Sequence, residues 1–455
     1  MLNLRLTEIA LWTRGSLHGA DVPVRGVCTD TRKLGGGELF VALKGERLDG
    51  HDFVASAAAH GAAAALVSRR VEAPIPQVLV TDTLLALGDL ASAVRAQRRA
   101  RVVGITGSNG KTTVKTLTAS ILARHGRTHV NAGNFNNEIG LPLTLLEMPE
   151  NAEYAVLEMG AGKPGDIAYL AAIARPEIGL VNNIAPAHLE RMGSLEGVAE
   201  TKGALYQALP ADGVAVINAD DAFAGFFAGL AGTRRVLRFG LDHSTDVGAE
   251  IRALGAASDF VLNTPQGAIE VMLPLAGRHN VMNALAASAI ACALDVPLAT
   301  IREGLEQAPT VAGRLLRHTT RAGWTLIDDS YNANPGSTAA AIATLALEAG
   351  LPWLVLGDMA ELGPEAERLH AEIGTLARRS GIARLYTVGR LSRTAAAAFG
   401  AGAEHFADQS ALIAALRAAL KPGVVCLVKG SRSSAMDRVV AALLGHDGGG
   451  ERHAA

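Results

Sequence analysis

The chain alternates short apolar runs with longer stretches whose apolar residues recur at helical spacing. Val102-Val103-Gly104-Ile105 reads as a short buried strand. After a polar turn, Val114, Leu117, Ile121 and Leu122 form the stripe of a helix packed on a sheet. The rhythm continues with strands at 155–158, 178–181, 214–217 and 236–239, which predicts a parallel sheet with helices on both faces. The period then changes. Runs at 250–254, 259–262 and 268–275 are divided by turn residues and predict an antiparallel meander, followed by Arg278-His279-Asn280 and a long alanine-rich helix from Val281.

Upstream, 22–28, 39–43, 62–67 and 77–80 are strand candidates, Phe53, Val54, Ala57 and Ala58 share a helix face, and 84–97 is a helix leading into the next unit. Downstream, strands at 325–328, 353–356, 384–388 and 424–428 each run into a polar or glycine motif. Such motifs mark the ligand edge of a doubly wound sheet. A chain of 455 residues is too long for one core; the pattern divides it into three α/β units at 1–98, 99–308 and 309–455, with a disordered tail expected from Gly445.

Charge and cysteine usage narrow the function. A net charge of −2 leaves no electrostatic footprint for nucleic acid or a membrane surface. Cys28, Cys292 and Cys426 lie far apart in apolar surroundings, as buried small hydrophobes rather than a disulfide framework or zinc site. Arg5 and Glu8 make the N-terminus a poor signal peptide. The most apolar long stretch, 281–301, contains Asn283, Asp295 and Pro297 and reads as a buried helix with a stop, not a membrane span. A reducing cytoplasm is the simplest compartment.

The candidate chemistry begins between the first central strand and its helix, at Gly107-Ser108-Asn109-Gly110-Lys111-Thr112-Thr113. Glycines let a backbone approach phosphates, the helix N-terminus supplies positive potential, Lys111 adds a charge and the Thr112 hydroxyl suits Mg²⁺. Ile105 stands where the longer phosphate-loop pattern has glycine, so this is the shorter G-x-x-G-K-T-T form; a glycine-rich turn with a chance Lys-Thr is the bland alternative. ATP or GTP is the expected ligand. Glu158 ends a strand before Met159-Gly160-Ala161-Gly162, and His188 follows another strand end; both suit a metal, and both residue types also serve as caps or structural groups. Lys202, by residue type alone, is a helix-surface lysine. Asn134, Asn136 and Asn137 form an amide cluster able to hydrogen-bond a substrate or to make turns. In the first unit, Thr31-Arg32 and Lys44-Gly45-Glu46 follow strands, where a small anion or only solvent could meet them.

These strings, in one order, resemble the Mur ligases, which build the peptide of bacterial cell-wall precursors. The resemblance is carried by 107–113, 134–140, 158–161, 183–190, Lys202 and 279–284. The strings at 329–335 and 357–363 resemble the branch adding D-alanyl-D-alanine to UDP-N-acetylmuramoyl-tripeptide; Asp30-Thr31-Arg32, 39–46 and Asp49-Gly50-His51 resemble it too, and are shared with the neighbouring branch that adds the third amino acid. The family's own loop is the short form. The resemblance implies a UDP-binding N-terminal domain, a central ATPase domain and a Rossmann-like C-terminal domain. It further implies that Gly107 to Thr113 bind ATP with Asn283, Arg314 and Asp329, and that Thr112, Glu158, His188 and Lys202 hold two Mg²⁺ ions, Lys202 as a carbamate. Thr31, Arg32 and Lys44 would hold the UDP part, with Asn134, Asn137, Asn332 and Asn334 near the peptide and dipeptide. Three mobile domains suit a monomer. The neighbouring branch adding the third amino acid is disfavoured because no Asp-Asn-Pro-Arg string occurs. A folylpolyglutamate-type ligase would not need the first unit, and a nucleotide switch without ligase chemistry remains an alternative.

Overall fold

The computed structural model describes residues 3–186 and 189–446. Three main sheets follow one another along the chain. The first has the order Ser16–His18, Gln77–Leu79, Ala64–Val67, Leu39–Val41, Val27–Cys28, parallel except for its first strand. The second has six parallel strands: Arg235–Phe239, Val214–Asn218, Ile178–Val181, Arg101–Thr106, Tyr154–Glu158, Thr128–Val130. The third runs Leu316–Thr319, Thr325–Asp329, Val424–Lys429, Leu351–Leu356, Arg384–Val388, Ala403–Phe406, with only the first strand antiparallel. The meander Gly248–Leu254, Ser258–Thr264, Gly267–Leu273 is antiparallel, with a bulge between Ile251 and Ala253.

Several expectations are corrected. The run 22–28 is two strands: Pro23–Val24 pairs antiparallel with Leu4–Arg5, and Val27–Cys28 joins the first sheet. The break falls where Arg25 donates its N–H to Gly37 O at 2.9 Å. Ser16–His18, Thr128–Val130, Leu316–Thr319 and Ala403–Phe406 escaped the pattern because they are short, half-exposed edge strands without an apolar run. The alanine-rich helix is Arg278–Ala293, and Pro297 caps a new helix, Leu298–Glu306. The last helix, Asp437–His446, runs through Gly445, where a disordered tail was expected; the rest of that tail lies outside the described residues. Among the described residues no helix is long and apolar enough to cross a membrane.

The cores join the sheets unequally. Helix Thr83–Ala96, capped by Asp82 on Leu84 and Leu85, buries Leu87, Leu90 and Val94 in a cluster with Leu141, Leu145, Ile167 and Leu170 of the central unit. First and central units thus share a core. Both faces of the third sheet bury apolar clusters of their own, and among the described residues neither reaches the central unit.

Helices Ala366–Arg379 and Ser392–Phe399 meet at Gly374, where a Cβ would stand 2.0 Å from Ala395 O. Gly374→Ala is expected to destabilise the third unit by about 1–3 kcal/mol through overpacking. Gly225→Ala, in helix Ala224–Ala231 with open space around it, should instead stabilise by about 0.5–1 kcal/mol. Thermal unfolding of the two variants checks both signs.

Candidate active site

The phosphate loop leaves the central sheet at Thr106, where successive crossovers change direction. Gly107 and Gly110 have φ of 146° and 78°. A Cβ on Gly110 would stand 2.4 Å from Asn283 Oδ1 and 2.5 Å from Asn182 Nδ2, so conformation and space both require glycine. Asparagines fix the loop from outside. Asn183 Oδ1 accepts from Asn109 N–H at 2.8 Å, and the Asn182 and Asn183 amides donate to Asn109 O at 2.9 and 3.2 Å. Asn182 also donates to Asn283 Oδ1 at 3.0 Å, which makes Asn283 a support of the loop as well as a cavity wall. Ser108 Oγ donates to Ala185 O and accepts from Ala185 N–H. Lys111 Nζ folds back to donate to Gly107 O at 2.8 Å. Burial holds its ammonium below the usual lysine range, with Glu158 opposing and Arg314 adding to the shift. An anion on the loop would relieve that strain.

Glu158, 3% exposed at its strand tip, is fixed on both sides. Oε2 accepts from Thr112 Oγ1 at 2.9 Å, Oε1 accepts from Asn136 Nδ2 at 2.8 Å, and Lys115 Nζ lies 3.7 Å from Oε2. Asn131 brackets the Glu158 backbone, accepting from its N–H at 3.0 Å and donating to its O at 3.1 Å. Lys115 donates to Asn131 O and Gly133 O. Sequence reasoning missed Lys115 and Asn131. The available signal for Lys115 is its register with Thr118 and Leu122, which puts it on the buried face of helix Lys111–Leu122.

Asn134 and Asn137 line a cavity of about 380 Å³ with Lys111, Glu158, Arg191, Arg314 and Asn332. Asn137 Oδ1 also accepts from Gly140 N–H at 2.9 Å, at the start of helix Gly140–Glu147. Lys202 is no surface lysine: on helix Leu195–Gln207 it is 1% exposed. Burial, with Lys111 adding and Asp166 opposing, pushes its ammonium down to about 7. His188 lies outside the described residues, and among those described no group of three His, Cys, Asp or Glu could hold a metal.

The third unit closes a neighbouring cavity of about 270 Å³. Arg314 and Asp329 line it opposite Gly110, Thr113, His279 and Asn283. Lys429, which opens the polar motif after strand 424–428, pairs with Asp329 Oδ2 at 2.6 Å and donates to Asn332 O at 2.9 Å. Arg314 lies 4.4 Å from the Tyr331 ring centroid. Burial drives His279 down to about 4, with Asp329 opposing and Lys429 adding, so it is a neutral wall at physiological pH. Asn334 caps helix Pro335–Ala346. Both cavities share Arg314, so the two spaces adjoin.

Thr31, Arg32 and Lys44 line neither cavity. Arg32 is exposed and folds onto Asp30 at 2.9 and 2.7 Å, holding that carboxyl at about 2. Lys33 stands 5.9 Å over the Phe135 ring, which brings this loop beside the asparagine cluster. Asp49-Gly50-His51 is architecture: His51, 2% exposed, lies between Asp49 Oδ1 and Ser68 N–H.

A phosphate loop with a buried carboxylate and lysine beside it, completed by cations from a second sheet, defines a nucleotide-using α/β enzyme whose site is split between two units. The chain belongs to the Mur ligase family: residues 23–95 match the model of the Mur ligase family catalytic domain, 105–291 the middle domain and 313–432 the glutamate ligase domain. The UDP-N-acetylmuramoyl-tripeptide–D-alanyl-D-alanine ligase of Escherichia coli K12 is 47% identical over 447 residues, 97% of this chain and 99% of that one. MurF from Acinetobacter baumannii has a similar structure, with TM-score 0.93 and 36% identity over 97% and 99% of the two chains. The MurF ligase of Thermotoga maritima in complex with ADP has TM-score 0.82 and 28% identity over 93% and 98%. The chain is an ATP-dependent ligase.

The Lys202 shift has a stability consequence. An unfolded chain keeps that proton until about pH 10.5 and the folded chain releases it near 7. Between these values the unfolded state binds more protons, so stability rises with pH. In CO₂-free buffer Lys202→Met should stabilise at pH 7 and below by up to about 4 kcal/mol, the gain fading toward pH 10.5. Denaturant melts across pH check the slope.

Proposed function

We propose that this chain adds D-alanyl-D-alanine to UDP-N-acetylmuramoyl-tripeptide through an acyl phosphate, in the making of peptidoglycan precursor. The observation that carries the reading is the pair of adjoining cavities sharing Arg314, one under the phosphate loop and one beside Lys111 and Glu158. A carboxylate in the second can approach the end of a nucleotide in the first. Residues 1–98 hold the UDP part, 99–308 hold ATP, and 309–455 bring the amine. Thr31, Arg32 and Lys44 belong to the UDP end, Asn134 and Asn137 to the peptide, and Asn332 to the dipeptide side.

A peptide carboxylate is a poor electrophile, so it attacks the γ-phosphate of ATP, giving an acyl phosphate and ADP. Lys111 and the loop N–H groups offset the charge on the transferred group. The dipeptide amine then attacks the activated carbonyl, and phosphate leaves. Arg314, Asp329 and Lys429 cover the nucleotide from the third unit and keep water from the acyl phosphate. The Thr112 hydroxyl and Glu158 carboxylate, 2.9 Å apart, are oxygen donors of the kind Mg²⁺ takes; Mg²⁺ neutralises phosphate charge when bound. We assign two such ions, with His188 and Lys202 at the second. A lysine that loses its proton near 7 is partly a free amine at neutral pH, as carbamate formation with CO₂ requires. A carbamate would also turn a buried cation into an anion beside the metals. The substrates suit a cytoplasmic enzyme acting as a monomer.

Lys111→Ala should lose ATP-dependent amide formation by at least about 100-fold with its melting temperature kept. ADP release with UDP-tripeptide, with and without the dipeptide, is the assay. Release independent of the dipeptide, with no peptide product, would point to a nucleotide switch. Lys202→Ala should be inactive, unrescued by bicarbonate and partly restored by a short-chain carboxylic acid; wild-type rates in that variant would remove the carbamate.

A further inference from the structure

The third unit shares no apolar core with the central unit among the described residues, yet its helix Pro335–Ala346 ends against the phosphate loop. One side-chain hydrogen bond joins them. Asn334 Nδ2 donates to Asn109 Oδ1 at 2.7 Å. The two ends of the Asn334 carboxamide have different tasks. Its Oδ1 accepts from Ser337 N–H at 2.9 Å and caps the helix, while the Ser337 hydroxyl accepts from Asn334 N–H at 3.1 Å. With the oxygen turned to its own helix, the NH₂ group must point outward, and Asn109 is what it meets. Asn334 is 8% exposed, so the bond is shielded from water.

Asn109 is divided in the same way. Its backbone is claimed inside the central unit by Asn182 and Asn183. Its side-chain oxygen is left to the third unit. Gly336 makes the approach possible: a Cβ there would stand 3.2 Å from Asn109 Nδ2 and 3.4 Å from Ala185 Cβ. We propose that Asn334 and Asn109 are a positioning pair that seats the third unit on the phosphate loop, so that Arg314 and Asp329 reach the nucleotide only when the loop is in register with that helix. In this role Asn334 acts through the loop and not by touching the dipeptide. The catalytic consequence rests on the ligase reading above; the seating itself does not.

A double-mutant cycle tests it in the full chain. Asn334→Ser keeps a capping oxygen but is too short to reach Asn109. Asn109→Ser removes the acceptor and leaves the cap intact. Three readouts are used: small-angle scattering without ligand, calorimetric ADP affinity, and the KM for the dipeptide. Each single variant should raise the radius of gyration and weaken ADP binding by about two- to tenfold, the range for one lost hydrogen bond. The double variant should do no more than either single one, and melting temperatures should stay close to the parent's. The proposal is overturned if scattering is unchanged in all three variants, or if the two effects on ADP multiply. It is equally overturned if Asn334→Ser raises only the KM for the dipeptide. Absence of amide product from the parent chain would sink the ligase reading and leave the scattering result standing.

Discussion

The site depends on a loop that must be rigid, with the N–H groups of Ser108 and Asn109 tied to Asn183, and yet leave those at the start of its helix for phosphate. Backbone donors inside a protein are normally consumed by neighbours. Here Asn182, Asn183 and Asn283 hold the loop largely through Asn109 and one another, and through the space they deny to any Cβ at Gly110. The helix Lys111–Leu122 is then aimed with its N-terminus into the cavity. Everything charged nearby is arranged around that fixed point: Glu158 on Thr112, Lys115 behind Glu158, and Lys202 buried where it is only weakly a cation.

The units are joined by different physics. The first shares an apolar core with the central unit through helix Thr83–Ala96, and an interface of that kind moves as one body. The third shares no apolar core with the central unit among the described residues and meets it at the Asn334–Asn109 hydrogen bond and along the walls of the cavities, and a contact of that kind can open at a cost of a few kcal/mol. This division suits chemistry through an acyl phosphate. The substrate's large end needs a fixed anchor, whereas the reactive group needs a cover that closes over ATP and then releases product.

The Gly107–Thr113 string, the strand–helix rhythm and the meander were legible because each depends on local chemistry: glycine's backbone freedom, or a hydrophobic period. The four edge strands were not, because half-exposed strands carry no apolar run. Lys115 and Asn131 were missed for a related reason. A lysine reads as surface until something shows what buries it, and Asn131 is recognisable only beside Glu158, twenty-seven residues later. Asn334 was placed near the site from its string, and its cap on Ser337 is local, but its bond to Asn109 spans 225 residues and has no local sign.

The sequence by itself determined the central strands and helices, the division into three α/β units with a meander, and the phosphate-binding chemistry, because these follow from side-chain period and from residues that few other conformations accept. Only the tertiary structure decided which polar groups are buried together. Burial and partnership are properties of neighbours, and the neighbours here come from strand tips far apart in the chain. That is why Lys202 is identical in sequence to any helix lysine and differs from them in the fold, where desolvation brings its proton within reach of neutral pH.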